Sequence, residues 1–252
     1  VLRWWFILCA LILPLRVVGQ GGVVSVAPET DVVDHAVFDT LWRAAKQQGK
    51  VRTTVVLGEP YQRYRSMLAG ASPERFLPAA QLAFWVNAYL ACLLEVLHHR
   101  LGYRSALWDD ALLQRDTFQV AGGWYSLHSM GLHIEKVAGT VKARSFLCTG
   151  SSAGPPLLRT IPRARTVRTI MHEQLRRLFR GSRYLRFDPS GSVLQLARMF
   201  QDWLPAMERE GGSVAGFLMP WLSEETAAGV AVAGVALRIQ VLDRFDTWLH
   251  GR

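Results

Sequence analysis

Apolar positions recur with a period near 3.6 in some stretches and near 2 in others, so the chain is expected to mix helices with strands. Val33, Val37, Leu41 and Ala44 share helical spacing and predict a helix over about 33–48, closed by Gly49. The run KVRTTVV after it reads as a short strand or extended piece, and Pro60 opens a helix with Tyr61, Tyr64 and Leu68 on one side. SPERFLPAAQLAFWVNAYLACLLEVLHHR carries the longest helical signal. Ser72 and Pro73 offer a cap and a first-turn proline, and Pro78 breaks or restarts the helix. From Leu82 to Leu97 nearly every face is apolar, so this helix is enclosed by protein or by lipid. It is 16 residues long and carries Asn87 and Glu95, which favours a central helix of a folded domain over a membrane span.

Arg104 to Gln114 has helical character, and TFQVAGGWYSLH alternates around Ala121–Gly122–Gly123 as a β-hairpin does. GLHIEKV fits either a helix or a strand. In SFLCTGSSAGPPL, residues Ser145 to Cys148 read as a strand that opens into a loop of small residues. Thr166 to Arg180 is an amphipathic helix with Val167, Ile170, Met171, Leu175, Leu178 and Phe179 as its buried stripe and Gly181 as its stop. YLRFD is a short strand closed by a DPSG turn; Leu194 to Trp203 and Val214 to Leu222 read as helices, and VALRIQ opens as a strand. Glycine and proline breaks are spread evenly and mark no linker. Residues 20–252 are therefore expected to form a single α+β domain: helix-rich, built around a central apolar helix, with a small mostly antiparallel sheet.

At 252 residues and 50% hydrophobic composition the chain has ample material for such a core. Its N-terminus changes the picture of where it works. Arg3, the apolar run Phe6 to Leu15 and the small residues before Gln20 fit a secretory signal peptide over residues 1–19, or a membrane anchor if uncleaved. A periplasmic or extracellular location follows, in which a Cys92–Cys148 disulfide can form. No cysteine pair has zinc-ligand spacing, and the chain holds no glycine-rich phosphate loop, nucleophile elbow or His-Glu-x-x-His, so neither metal nor cofactor is expected. The lone Glu95-x-x-His98 lacks the second motif and further glutamates that a di-metal site needs.

Candidate chemistry falls in two places. Cys148, at a strand end before small residues, has the setting of a nucleophile with oxyanion donors in the following loop, but the commoner reading of such a residue is a structural thiol that ends a core strand. Glu135, His133, His128 and His172 are the groups able to assist a thiol. Asn87 on an all-apolar helix must find a hydrogen-bond partner, either a catalytic group or a backbone segment of its own chain. The second place is charge. The chain carries 29 basic and 20 acidic residues, and nine arginines with one acid, Glu173, fall between Arg159 and Arg186. Arg168, Arg176, Arg177 and Arg180 lie mostly off the apolar stripe of their helix and form a face able to attract phosphates, anionic lipid heads or acidic polymers. Thin aromatic interleaving and the leader argue against nucleic acid.

LAFWVNAYLACLLEVL, the hairpin with YSLHSMGLHIEK, SFLCTGSSAGPPL and LQLARMFQDW resemble, in that order, the bacterial and plant family named domain of unknown function 547, over about 34–249. Phe84, Trp85, Asn87, Ala88 and Tyr89 match its Ala-Phe-Trp-Ile-Asn-Ala-Tyr-Asn block; Pro155, Pro156 and Leu157 match the end of its cysteine-rich block; Asp246 takes the Asp place of its closing motif. The departures are specific. Leu90 replaces the first block's second Asn, and Lys136 replaces the His of Ile-Glu-His. Aligned from the prolines, the family's two cysteines fall on Thr149 and Gly154, its histidine on Arg144, and Cys148 stands in the Asn place; a register shifted by one puts Cys148 on the first cysteine. The family has no settled activity to carry over; the leader makes this an exported member, and the loss of the family's Cys and His positions makes it a divergent one, expected to be a non-catalytic binding or interaction module of the cell envelope, partnered by an envelope protein or an anionic ligand. Two alternatives remain, a thiol-dependent hydrolase or transferase using Cys148, and an anion-binding protein using the Arg159–Arg186 face.

Overall fold

The computed structural model describes residues 33–45, 53–99, 110–150 and 154–242. The leader, the first part of the Arg104–Gln114 helix and the closing RFDTWLH lie outside these residues. Helix α1 (Ala36–Ala45) buries Phe38, Trp42 and Ala45, and Val37 is 42% exposed. The buried stripe is thus displaced by one residue from the expected Val37–Leu41 register, because burial free energy scales with area and Phe and Trp carry the larger apolar surfaces. Thr53–Leu57 is a 3₁₀ helix rather than the expected strand or extended piece. Its β-branched residues favour strand, but a strand needs a partner for its backbone, and here turn bonds such as Gly58 N–H to the Val55 carbonyl (3.3 Å) serve instead. Helix α2 (Glu59–Gly70) has its proline in the first turn and buries Tyr61, Tyr64 and Leu68 as the spacing predicts. Phe38 stacks on Tyr64 at 4.7 Å and fastens α1 to α2.

Pro73 opens only a short 3₁₀ turn, and Pro78 restarts the chain as helix α3 (Pro78–His99). Its length and composition would allow a membrane span, yet from Leu82 to Leu94 every residue is buried inside the fold. Helices α4 (Asp110–Arg115) and α5 (Leu127–Ala138) flank a hairpin of β1 (Thr117–Val120) and β2 (Gly123–Ser126). GLHIEKV is therefore helical. Ser126 settles the choice by capping α5, accepting from Ser129 N–H at 3.1 Å, and Gly139 ends it in the left-handed region. Val141–Phe146 is a 3₁₀ helix, so the strand expected at Ser145–Cys148 does not form. Thr140 caps this turn, and the Glu210 carboxylate accepts from Val141 N–H (2.5 Å) and Thr140 Oγ1 (2.6 Å), which meets backbone donors that a strand would have left to a neighbour.

Helix α6 (Val167–Phe179) has the expected buried stripe, with Gln174 added to it. Strands β3 (Leu185–Asp188) and β4 (Val193–Ala197) pair antiparallel, followed by a 3₁₀ turn over Arg198–Trp203. The helix expected over Leu194–Trp203 is thus half strand. Leu194 and Leu196 are buried while Val193 and Gln195 are partly open, the period-2 pattern that pairing rewards. Helices α7 (Leu204–Gly211), α8 (Val214–Leu218) and α9 (Glu224–Ala233) lead to β5 (Arg238–Leu242), parallel to β4 in the order β3-β4-β5. The result is a helix-rich α+β fold with two small sheets, and α3 packs at its centre against α5 and α6.

Candidate anion-binding cleft

Helix α6 is amphipathic, so its buried stripe sets which residues face outward. Arg168, Glu173, Arg176 and Arg180 are exposed, and Arg177 lies at the boundary. The segment 154–161 runs beside this helix and is tied down by side chains that reach its carbonyls. Gln174 Nε2 donates to the Pro156 carbonyl (2.7 Å) and the Ser145 carbonyl (3.3 Å). Arg177 Nη1 donates to the Leu157 carbonyl (3.1 Å) and to Gln174 Oε1 (2.5 Å). Trp42 Nε1 reaches the Leu158 carbonyl at 3.0 Å, and Tyr184 Oη donates to the Gly154 carbonyl at 2.9 Å. Two prolines contribute no donors here, and an irregular buried backbone must have its carbonyls met, which these four side chains do.

Between this pinned segment and α6 lies a cleft of about 260 Å³. Arg159 and Thr160 line it from the segment; Ile170, Glu173, Gln174, Arg176 and Arg177 line it from the helix. Its electrostatics are set by three guanidinium groups in a small concavity. Arg177 is held below the usual arginine range, first by burial and next by the charge of Arg159. Two like charges are therefore close enough to oppose one another. Guanidinium forks match the oxygen geometry of phosphate and carboxylate. Beyond the cleft, His172 packs against Trp221 at 5.1 Å and is held below its ordinary value by burial, then by Arg176 and Lys142. The positive field thus extends along the helix past the cleft.

Of the four arginines singled out in the sequence, Arg176 and Arg177 line the cleft, whereas Arg168 and Arg180 stand elsewhere on α6. Arg159, which opens the basic run read from the sequence, joins Arg176 and Arg177, and Thr160, Glu173 and Gln174 complete the site without having been named as ligand groups. Gln174 carried a readable signal: it lies four residues from both Ile170 and Leu178, a polar group on an apolar stripe.

The remaining predicted residues are held in separate places. Asn87 is fully buried, and its Nδ2 donates to the Pro162 carbonyl at 2.8 Å, so the amide ties α3 to a backbone segment of its own chain. Cys148 is fully buried as well; its N–H donates to the Phe146 carbonyl (2.8 Å) and its own carbonyl accepts from Tyr89 Oη (3.0 Å). Cys92 and Cys148 are free thiols, so the disulfide considered from the sequence is not formed. Burial pushes the Cys92 thiol up to about 12, with Arg65 opposing and Glu95 reinforcing the shift. Glu135 lies 2.8 Å from Arg144 Nε in an ion pair, and Arg144 Nη1 donates to the Asp202 carbonyl at 2.8 Å. His133 stacks on Trp85 at 4.5 Å with Tyr125 at its edge, and is held low by burial and then by Lys136.

Glu95 of the Glu-x-x-His spacing accepts from Tyr61 Oη (2.7 Å) and Arg65 Nε (2.6 Å), a half-buried ion pair that sequence reasoning did not find. Among the described residues no three His, Cys, Asp or Glu side chains converge to hold a metal. No family profile, curated protein or solved structure matches the chain.

Proposed function

We propose that the chain is a non-catalytic binding module whose ligand is an anion seated in the cleft between α6 and the 154–161 segment. The observation that carries this reading is the placing of Arg159, Arg176 and Arg177 around one small concavity. Arg177 is already committed to Leu157 and Gln174, so it acts as a fixed cationic wall. Arg176 closes no ion pair among the described residues and is available to the ligand. Arg168 and Arg180 strengthen the field without touching the ligand, and neither thiol takes part. The resemblance to domain of unknown function 547 and the leader over residues 1–19 belong to the same reading: a divergent, exported member that meets its ligand outside the cytoplasm.

The test is calorimetric titration with glucose 6-phosphate at two salt concentrations. Affinity falls as salt rises, because partly exposed charges are screened. Arg176→Ala weakens binding about tenfold or more, the size of a lost charge-assisted hydrogen bond, while Arg168→Ala, outside the cleft, changes it little. Binding that ignores salt, or that survives Arg176→Ala undiminished, overturns the reading.

A further inference from the structure

We infer that the cleft selects a small phosphate monoester that also carries an ammonium group, read by Glu173. This rests on the anion-binding reading above and goes beyond it to the class of ligand.

A carboxylate among three arginines lowers affinity for a bare anion, since it cancels part of the attraction. Its ordinary explanation is that it neutralises a neighbouring arginine. The chain shows what that looks like: Asp39 and Arg43, four apart on α1, close at 2.6 Å, and Glu59 and Arg63, four apart on α2, close at 2.5 Å. Glu173 and Arg177 have the same spacing on α6, yet Arg177 is turned inward to the Leu157 carbonyl and Gln174 Oε1. Among the described residues Glu173 closes no ion pair. Glu173 still acts on Arg177 through its charge, but among the described residues the cleft presents a carboxylate and an Arg176 guanidinium, neither closed in a salt bridge, to the same volume, which is complementary to a ligand of both signs.

Size and charge narrow the class. A cavity of about 260 Å³ lies at the small end of ligand sites, below the range of about 300–1,000 Å³ typical of drug-sized molecules, and suits a skeleton the size of a monosaccharide. Ile170 offers that skeleton an apolar contact, and several guanidiniums suit a dianionic phosphate better than a single carboxylate.

The experiment compares glucosamine 6-phosphate with glucose 6-phosphate, which differ in an ammonium against a hydroxyl, on the wild-type chain and on Glu173→Gln. Glu173 is exposed, so this substitution leaves the fold intact. The wild type is expected to bind the amino sugar phosphate about tenfold more tightly, as one additional ion pair near a protein surface can provide. Glu173→Gln is expected to bind the two alike and to gain affinity for inorganic phosphate. If both sugar phosphates bind equally to the wild type and both weaken in Arg176→Ala, this inference fails while the anion-binding reading stands. A preference that persists in Glu173→Gln also overturns it. If neither sugar phosphate binds, both readings fall together.

Discussion

Asn87 sits on a helix whose other residues from Leu82 to Leu94 are apolar, and its amide is fully shielded from water. A buried amide needs partners; Nδ2 finds the Pro162 carbonyl, 75 positions away, while Oδ1 accepts no bond from the described residues. The need for a partner was readable from the sequence, since a polar residue on an apolar face announces it. The partner was not, because any backbone carbonyl can serve and distance along the chain says nothing about distance in space. Asn87→Ala removes the donor and leaves a carbonyl without its bond, so unfolding free energy in urea should drop by about 1–3 kcal/mol. An unchanged midpoint would show that the bond contributes nothing. Cys148 teaches the converse. A thiol ahead of small residues fits a nucleophile and equally a buried side chain in a tight turn, and only the fold shows that this one is fully buried.

At the scale of elements, the hairpin turn does more than reverse the chain. Ala121 and Gly122 take φ of 52° and 72°, and their N–H groups donate to the Leu68 and Ala69 carbonyls at the C-terminal end of α2 (2.9 and 2.8 Å). The turn thereby satisfies helix carbonyls that α2 leaves open. A Cβ on Gly122 would meet nothing within 4 Å, so Gly122→Ala isolates the cost of the left-handed backbone. Thermal or urea unfolding should register a loss of about 1 kcal/mol. A neutral result would mean that the turn relaxes away from α2. The helices with long apolar stripes, α2, α3 and α6, were legible in advance, as was the hairpin. The errors fall on short segments: Thr53–Leu57, Ser145–Cys148 and Val193–Ala197. Each is long enough for only one turn or a few ladder bonds, so local propensity differs little between states and the neighbour decides.

For the whole molecule, the number of buried titratable groups predicts an alkaline limit. Cys92 rises from its ordinary 9.0 to about 12, and burial also raises Tyr61 and Tyr89 above their ordinary 10.0. Raised values mean that the folded chain keeps protons the unfolded chain has already released. Stability is therefore full below about pH 9 and declines as pH climbs toward 12, with each such group adding up to about 1.4 kcal/mol per pH unit to the slope. Urea unfolding across this range should show the decline, and Cys92→Ala should make it shallower. An identical slope in the variant would remove Cys92 from the account.

By itself the sequence determined that this chain would form a helix-rich α+β fold around one apolar helix, because periodicity and burial are properties of neighbours a few residues apart. It also located the arginine-rich helix, since α6 shows its polar face in its own spacing. Only the tertiary structure decided which of those arginines share a cavity. Arg159 reaches Arg176 and Arg177 because Gln174, Arg177, Trp42 and Tyr184 pin the 154–161 backbone beside α6. Glu173 became a candidate ligand group for the same reason, because Arg177 bonds to the Leu157 carbonyl and closes no salt bridge with it. These contacts join residues between 18 and 116 positions apart, and their worth depends on burial that no local pattern contains.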